Sequence, residues 1–253
     1  MPRVSTTLGD WEEQRASINA LGETVGFVPT MGALHAGHRS LLERASAEND
    51  RVVLSIFVNP SQFDDPGDLE RYPRTLEADL ALAEGLADHV LLPEPREMYR
   101  DDYRYRMSEF DLSARLEGAQ RPGHFDGVLT VVLKLLNLVR PDRAYFGEKD
   151  RQQLELVQGM ARALFLPVEI VPCPTVRDTD GVALSSRNRR LSPAARERAA
   201  AFPRILRGSA DAGSAATELA KAGFGVDYVE DRGGIRLGAV RIEDVRLIDN
   251  VRL

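Results

Sequence analysis

Two of the chain's four histidines, His35 and His38, stand three residues apart in one short stretch. That stretch runs Pro29, Thr30, Met31, Gly32, Ala33, Leu34, His35, Ala36, Gly37, His38. Apolar residues precede it (Val25, Phe27, Val28) and recur at helical spacing after it (Leu41, Leu42, Ala45). The pattern predicts a crossing from the end of a buried strand to the start of a helix, with Gly32 and Gly37 allowing tight backbone. A helix N-terminus leaves backbone N–H groups unpaired and favours an anion, phosphate above all. Two imidazoles at its mouth can face one such anion. Zinc is the competing chemistry for a histidine pair, but it needs a third ligand, and no H-E-x-x-H or Cys cluster supplies one.

Four further stretches carry polar groups. Residues 57–63 hold Asn59, kept extended by the proline after it, and Gln62, whose amide both donates and accepts and so suits a substrate with hydroxyl and carboxylate groups. Residues 121–127 hold His124 between glycines, ahead of a long apolar segment; a surface histidine or a helix cap is the plainer alternative there. Residues 146–153 place Gly147, Glu148, Lys149 and Asp150 between a strand and a helix, followed by Gln153 one turn beyond Lys149. Backbone N–H groups plus one ammonium suit phosphate, although the G-x-x-x-x-G-K-[ST] spacing of a P-loop is absent. Lys149 stands out because the chain has three lysines in all. Residues 176–188 carry Val176, Leu184, Ser185, Ser186 and Arg187, two hydroxyls and a cation fit to clamp a polyphosphate.

These stretches sit between regular elements. Strands are expected over 25–29, 51–58, 89–92, 143–146 and 168–171, and helices over 37–49, 75–86 and 150–164. Val128, Val131, Val132, Leu135, Leu136 and Val139 keep the rhythm of a core-facing helix. Alternation of this kind predicts an α/β fold, a doubly wound (Rossmann-like) parallel sheet. Ligands of such sheets lie outside the carboxyl ends of the strands, where the loops after Val28, Val58 and Phe146 should converge. Beyond residue 175 the character changes to Ala- and Arg-rich helices and two β-prone runs, 226–229 and 245–248. The expectation is a catalytic domain over 1–175 and a smaller C-terminal α+β domain over 176–253.

Composition narrows the function. A net charge of −6 argues against a general nucleic-acid binder. The lone Cys173 permits no intrachain disulfide and fits a reducing compartment. No apolar signal core opens the chain and no apolar run approaches the roughly 20 residues that span a bilayer. No membrane partner and a cytoplasmic location are expected. Together the polar stretches supply what ATP-dependent adenylation needs: dipoles and cations for a triphosphate, and a pocket that holds a carboxylate near the α-phosphorus.

The motifs P-T-M-G-A-L-H-x-G-H, F-V-N-P-x-Q-F, R-P-x-H-F-x-G-V-x-T-V-V-x-K-L, F-G-x-K-D-x-Q-Q and S-S-R-N occur in that order over about residues 25–191. In this the chain resembles the pantoate–β-alanine ligase family, within the nucleotidyltransferase superfamily. The resemblance implies that pantoate attacks the α-phosphate of ATP, and that β-alanine then displaces AMP from pantoyl adenylate. It implies that Pro29 to Leu34 and Gly37 cradle ATP with His35 and His38 on the phosphates, His38 being the family's proton donor. Gln62 and Gln153, with Asn59 beside them, would bind pantoate, and Gln62 would also lie near β-alanine. Gly147 to Asp150, Val176 and His124 would line the nucleotide site, with Lys149 on the phosphates. Leu184 to Arg187 would close over the triphosphate. Asp79 would be a carboxylate on the Mg2+ side, and the protein a homodimer. Set against the family, residues 232–242 are expected to lack a strand and loop, so that the C-terminal domain is shortened. Two alternatives are an enzyme moving AMP onto a phosphate, disfavoured by Gln62 and Gln153, and an inactive nucleotide-binding regulator, disfavoured by His38, Lys149 and the Ser185–Arg187 cluster.

Overall fold

The computed structural model describes residues 1–253 and divides into two compact units. The first comprises Met1–Gly147 and Gln152–Cys173; the second comprises Glu148–Arg151 and Pro174–Leu253.

The first unit is built on six parallel strands: β1 Arg3–Ser5, β2 Val25–Thr30, β3 Arg51–Ile56, β4 His89–Leu91, β5 Arg143–Gly147 and β6 Glu169–Cys173, in the order β1-β4-β3-β2-β5-β6. Alternate residues of each strand enter opposite cores. Phe27, Val53, Ala144 and Ile170 face a cluster with Trp11, Ile18, Val132, Leu136 and Val157, from helices Leu8–Leu21, His124–Val139 and Arg151–Ala163. Val28, Leu54, Val90 and Tyr145 face the other cluster, with Leu42 and Ala45 of helix Ala36–Glu48 and Ala83 of helix Leu76–Ala83. This two-sided burial is why the strands read as continuous apolar runs. It confirms the doubly wound sheet. From β2 the chain moves outward through β3 to β4, then returns to β5 on the other side of β2. That reversal opens a crevice at the carboxyl ends of β2 and β5, where such sheets take their ligands.

β1 and helix Leu8–Leu21 were not expected from the sequence. Gln14 and Arg15 are buried on the same helix as Leu8, Trp11 and Ile18, so polar residues interrupt the inward stripe. Arg15 is spent on the end of helix His124–Val139, donating through Nε to Val139 O at 2.6 Å and through Nη2 to Arg140 O at 2.8 Å.

The second unit packs helices Pro193–Ala199, Ala201–Gly208 and Ala212–Lys221 on an antiparallel sheet of β7 Gly225–Arg232, β8 Ile235–Ile242 and β9 Val245–Arg252. Phe202, Leu206, Leu219, Val240 and Leu247 form its core. The expectation that residues 232–242 lack a strand is corrected: β8 is the middle strand of the sheet. Gly233 and Gly234, at φ 58° and 75°, make the tight turn that leads into it. Arg236 on β8 is buried and holds Asp231 through two bonds of 2.6 and 2.8 Å. No helix of the chain is long and apolar enough to cross a membrane.

Candidate active site

The carboxyl end of β2 carries Thr30, whose hydroxyl donates to Ser55 O on β3 at 2.7 Å and accepts from Gly32 N at 3.2 Å. The chain then reverses through Gly32 (φ 81°) and Ala33 (φ 51°). Side chains rarely adopt this left-handed backbone, and Asp79 holds it. The Asp79 carboxylate, 2% exposed, accepts from Ala33 N at 3.0 Å, from Leu34 N at 2.7 Å and from the Thr75 hydroxyl at 3.1 Å. Asp79 is therefore a buried clamp on the turn. Both its oxygens accept from protein donors.

The clamped turn delivers His35 to the N-cap of helix Ala36–Glu48. His35 Nδ1 accepts from Gly37 N at 3.1 Å, and His38 Nδ1 accepts from His35 N at 3.3 Å. The two rings close a reciprocal capping box, their centroids 4.1 Å apart. Since each Nδ1 is an acceptor, each neutral ring carries its proton on Nε2. The helix mouth thus presents ring N–H groups as well as backbone N–H groups, with no acidic residue in the first turn. Gly37 is required here: a Cβ would lie 2.9 Å from His35 Nδ1 and Cε1.

Beyond β3, Asn59 caps the one-turn 3-10 helix Pro60–Gln62. Asn59 is 1% and Gln62 9% exposed. Asn59 Nδ2 donates to Gln62 Oε1 at 2.9 Å, and Gln62 Nε2 reaches Met31 Sδ at 3.1 Å. The F-V-N-P-x-Q-F stretch and the histidine turn thus meet at Met31 and Gln62.

His124 begins helix His124–Val139, and both its ring nitrogens face protein groups. Nδ1 donates to Gln62 O at 2.8 Å, and Nε2 accepts from Arg121 Nη1 at 3.1 Å. Arg121 also binds Asp64 Oδ1 at 3.1 Å and Gln62 O at 3.3 Å. Burial and the adjacent Arg121 push His124 down to about 4, which keeps the ring neutral. Its ring supports the backbone of Gln62, with an acceptor and a donor both inside the protein.

Gln152 and Gln153 stand together at the start of helix Arg151–Ala163. Gln152 is buried, donating to Leu112 O at 2.7 Å and Arg115 O at 2.8 Å and accepting from Glu117 N at 2.9 Å. Gln153 is half-buried and is the member of the pair not built into that network.

The remaining predicted residues belong to the second unit, apart from Gly147, which ends β5. Glu148, Lys149 and Asp150 form a 3-10 turn ahead of the helix, so Lys149 is not on the helix itself. Asn250 Nδ2 holds the carbonyls of Glu148 and Lys149 at 2.9 and 3.0 Å, and Lys149 Nζ lies 3.7 Å from Asp150 Oδ1. Leu184 N donates to Val176 O at 3.0 Å, closing a hairpin whose Arg177 is fixed by Asp249 at 2.7 and 2.9 Å. Ser185 then caps the 3-10 helix Ser186–Arg190, its Oγ accepting from Arg187 N at 3.3 Å.

A parallel doubly wound sheet, with a histidine-capped helix leaving its central strand, defines a nucleotide-using α/β enzyme. The comparisons narrow the class. The model of the pantoate–β-alanine ligase family matches residues 3–252, and the chain belongs to that family. It is 57% identical over 231 residues to a pantothenate synthetase of Bdellovibrio bacteriovorus, covering 91% of this chain and 92% of that one. It is 49% identical over 252 residues to that of Legionella pneumophila, covering 99% and 100%. Among solved structures, the Francisella tularensis pantoate–β-alanine ligase, complexed with β,γ-ATP and β-alanine, superposes with a TM-score of 0.94 at 37% identity, covering 100% of this chain and 98% of that one. The Thermus thermophilus pantothenate synthetase gives 0.88 at 44% identity, covering 99% of each.

Proposed function

We propose that the chain condenses pantoate with β-alanine at the expense of ATP, by way of pantoyl adenylate, and releases AMP and pyrophosphate. The observation that carries this is the double histidine cap, with an obligate donor amide, Gln62, beside it. In the first step a pantoate carboxylate oxygen bonds to the α-phosphorus while the bond to the β-phosphate bridging oxygen breaks. Charge grows on the phosphoryl oxygens and on departing pyrophosphate. Nε2–H of His35 and His38 and the amides of the helix mouth are preorganised donors for that charge; donors of this kind contribute roughly 3 to 4 kcal/mol each. Gln62 and Gln153 hold pantoate. In the second step the β-alanine nitrogen bonds to the acyl carbon, the bond from that carbon to the AMP phosphate oxygen breaks, and the amine proton passes to solvent.

The remaining assignments rest on the family resemblance. Gly147 to Asp150, with Lys149, and Val176 and Leu184 to Arg187 take the phosphates. Magnesium enters as the counter-ion of ATP. The reaction is assigned to the cytoplasm and the enzyme to a homodimer, which sedimentation velocity tests. The functional test is exchange of labelled pyrophosphate into ATP without β-alanine. Exchange that requires pantoate is expected. No exchange, with AMP appearing only once β-alanine is added, refutes the adenylate route.

A further inference from the structure

An amide can present either of two opposite faces, an NH2 that donates or an oxygen that accepts. In Gln62 the choice is made by groups that cannot reverse. Asn59 Nδ2 faces the carbonyl of Gly127 at 3.2 Å, and the backbone N–H of Ser61 faces Asn59 Oδ1 at 3.4 Å. A carbonyl only accepts and an N–H only donates, so these two contacts favour one orientation of Asn59, but both are long for hydrogen bonds and hold it weakly. Its second Nδ2 hydrogen goes to Gln62 Oε1. The Gln62 oxygen is thereby spent, and its NH2 is left against Met31 Sδ, a weak acceptor that an oxygen of a ligand readily replaces.

Tyr99 completes the chain. Its hydroxyl donates to Asn59 Oδ1 at 2.6 Å, closer than Ser61 Oγ at 3.0 Å. Burial pushes the phenol up to about 12, so it stays protonated and remains a donor at working pH. The ring is held between Phe57 and Tyr103, at 6.4 and 5.3 Å between centroids, with Lys134 Nζ 5.0 Å from its centre. Close approach of helix His124–Val139 is also built in: a Cβ on Gly127 would fall 2.3 Å from Ser61 O and 2.7 Å from Gln62 Cα.

We propose that Tyr99, acting through Asn59, is a positioning residue that locks Gln62 as a hydrogen-bond donor, so that the site selects a carboxylate or hydroxyl oxygen of pantoate at that point. This rests on the assignment of pantoate to Gln62 above. The test is Tyr99→Phe, which keeps the ring packing and removes one donor. The KM for pantoate should rise about three- to tenfold, the worth of one hydrogen bond. The KM for ATP, kcat and the thermal midpoint should stay near wild type. An unchanged pantoate KM overturns the proposal. So does an equal rise in the ATP KM or a fall in kcat alone, since either marks general loosening. Wild-type enzyme is assayed first for pantoate-dependent pyrophosphate exchange. Its absence removes the functional assignment and this proposal together, whereas normal exchange with an unaltered Tyr99→Phe removes the relay alone.

Discussion

Asp79→Asn changes one oxygen of one side chain to NH2, yet it should be among the more damaging substitutions near the site. The native carboxylate accepts from two backbone N–H groups and one hydroxyl while almost wholly buried. In the variant one oxygen survives, and the new NH2 must face a backbone N–H at close to 3.0 Å, donor against donor. Losing a charge-assisted bond and stranding a buried N–H together cost about 2 to 4 kcal/mol. For a chain of this size that lowers the melting temperature by roughly 5 to 15 °C. The loss should be local in its effects on catalysis, since the clamp holds Ala33 and Leu34 just ahead of the histidine cap. The KM for ATP should rise more than the KM for pantoate. Thermal unfolding and a magnesium titration of the variant decide the matter. A variant as stable as wild type that needs more magnesium for half-maximal rate would show that Asp79 is a metal ligand, and the clamp argument would fail.

Three other outcomes are expected. His38→Ala removes a donor at the helix mouth and one member of the cap; turnover should fall by roughly 10² to 10³ with the fold retained by circular dichroism, and near-normal turnover would take His38 out of the mechanism. Lys149→Arg should also fail in adenylate formation, because a broad guanidinium fork does not replace a compact ammonium; wild-type exchange rates would contradict this. His124 is held low in the folded state, at about 4 against an ordinary 6.5, so the unfolded chain takes up its proton first as the solution is acidified. Its contribution is intact above about pH 6.5 and is lost as pH falls towards 4, up to about 3 kcal/mol. Urea unfolding at pH 7 and pH 4.5 should show this loss in wild type and less of it in His124→Gln.

How much was legible in advance differed with what each residue touches. The strands of the first unit could be read because both faces are covered and their apolar runs are unbroken. Helix Leu8–Leu21 could not, since buried Gln14 and Arg15 are satisfied by partners remote in sequence or off the helix, such as Ser5 and Val139. β8 was hidden for a related reason. Its Arg236 is buried against Asp231, and its Gly238 lies flat where a Cβ would come 3.0 Å from Leu206, so the alternation of a strand never shows. At the site, residue types and spacing located the histidine turn and the amides. They could not show that Asp79 clamps a turn or that His124 supports Gln62, because a carboxylate or imidazole near a phosphate site looks the same in sequence whether it faces a ligand or a buried backbone group. Tyr99, Arg121 and Gly127 went without a role for the same reason. The R-P-x-H-F-x-G pattern contains two of them, but what it preserves is contact with residues 59–62, some sixty positions away.

The reciprocal cap at the start of helix Ala36–Glu48 has a consequence for acid conditions. In each ring the nitrogen that touches the backbone must keep its lone pair. Charging either imidazole puts a hydrogen there and sets it against an N–H of the turn, so taking up a proton and uncapping the helix become a single event. Each ring can donate its Nε2 hydrogen while keeping the cap, but neither can become a full acid without first accepting a proton and loosening its own seat. Acid inactivation of this enzyme should therefore be accompanied by faster amide exchange at His35 and Gly37, before the sheet behind them begins to open.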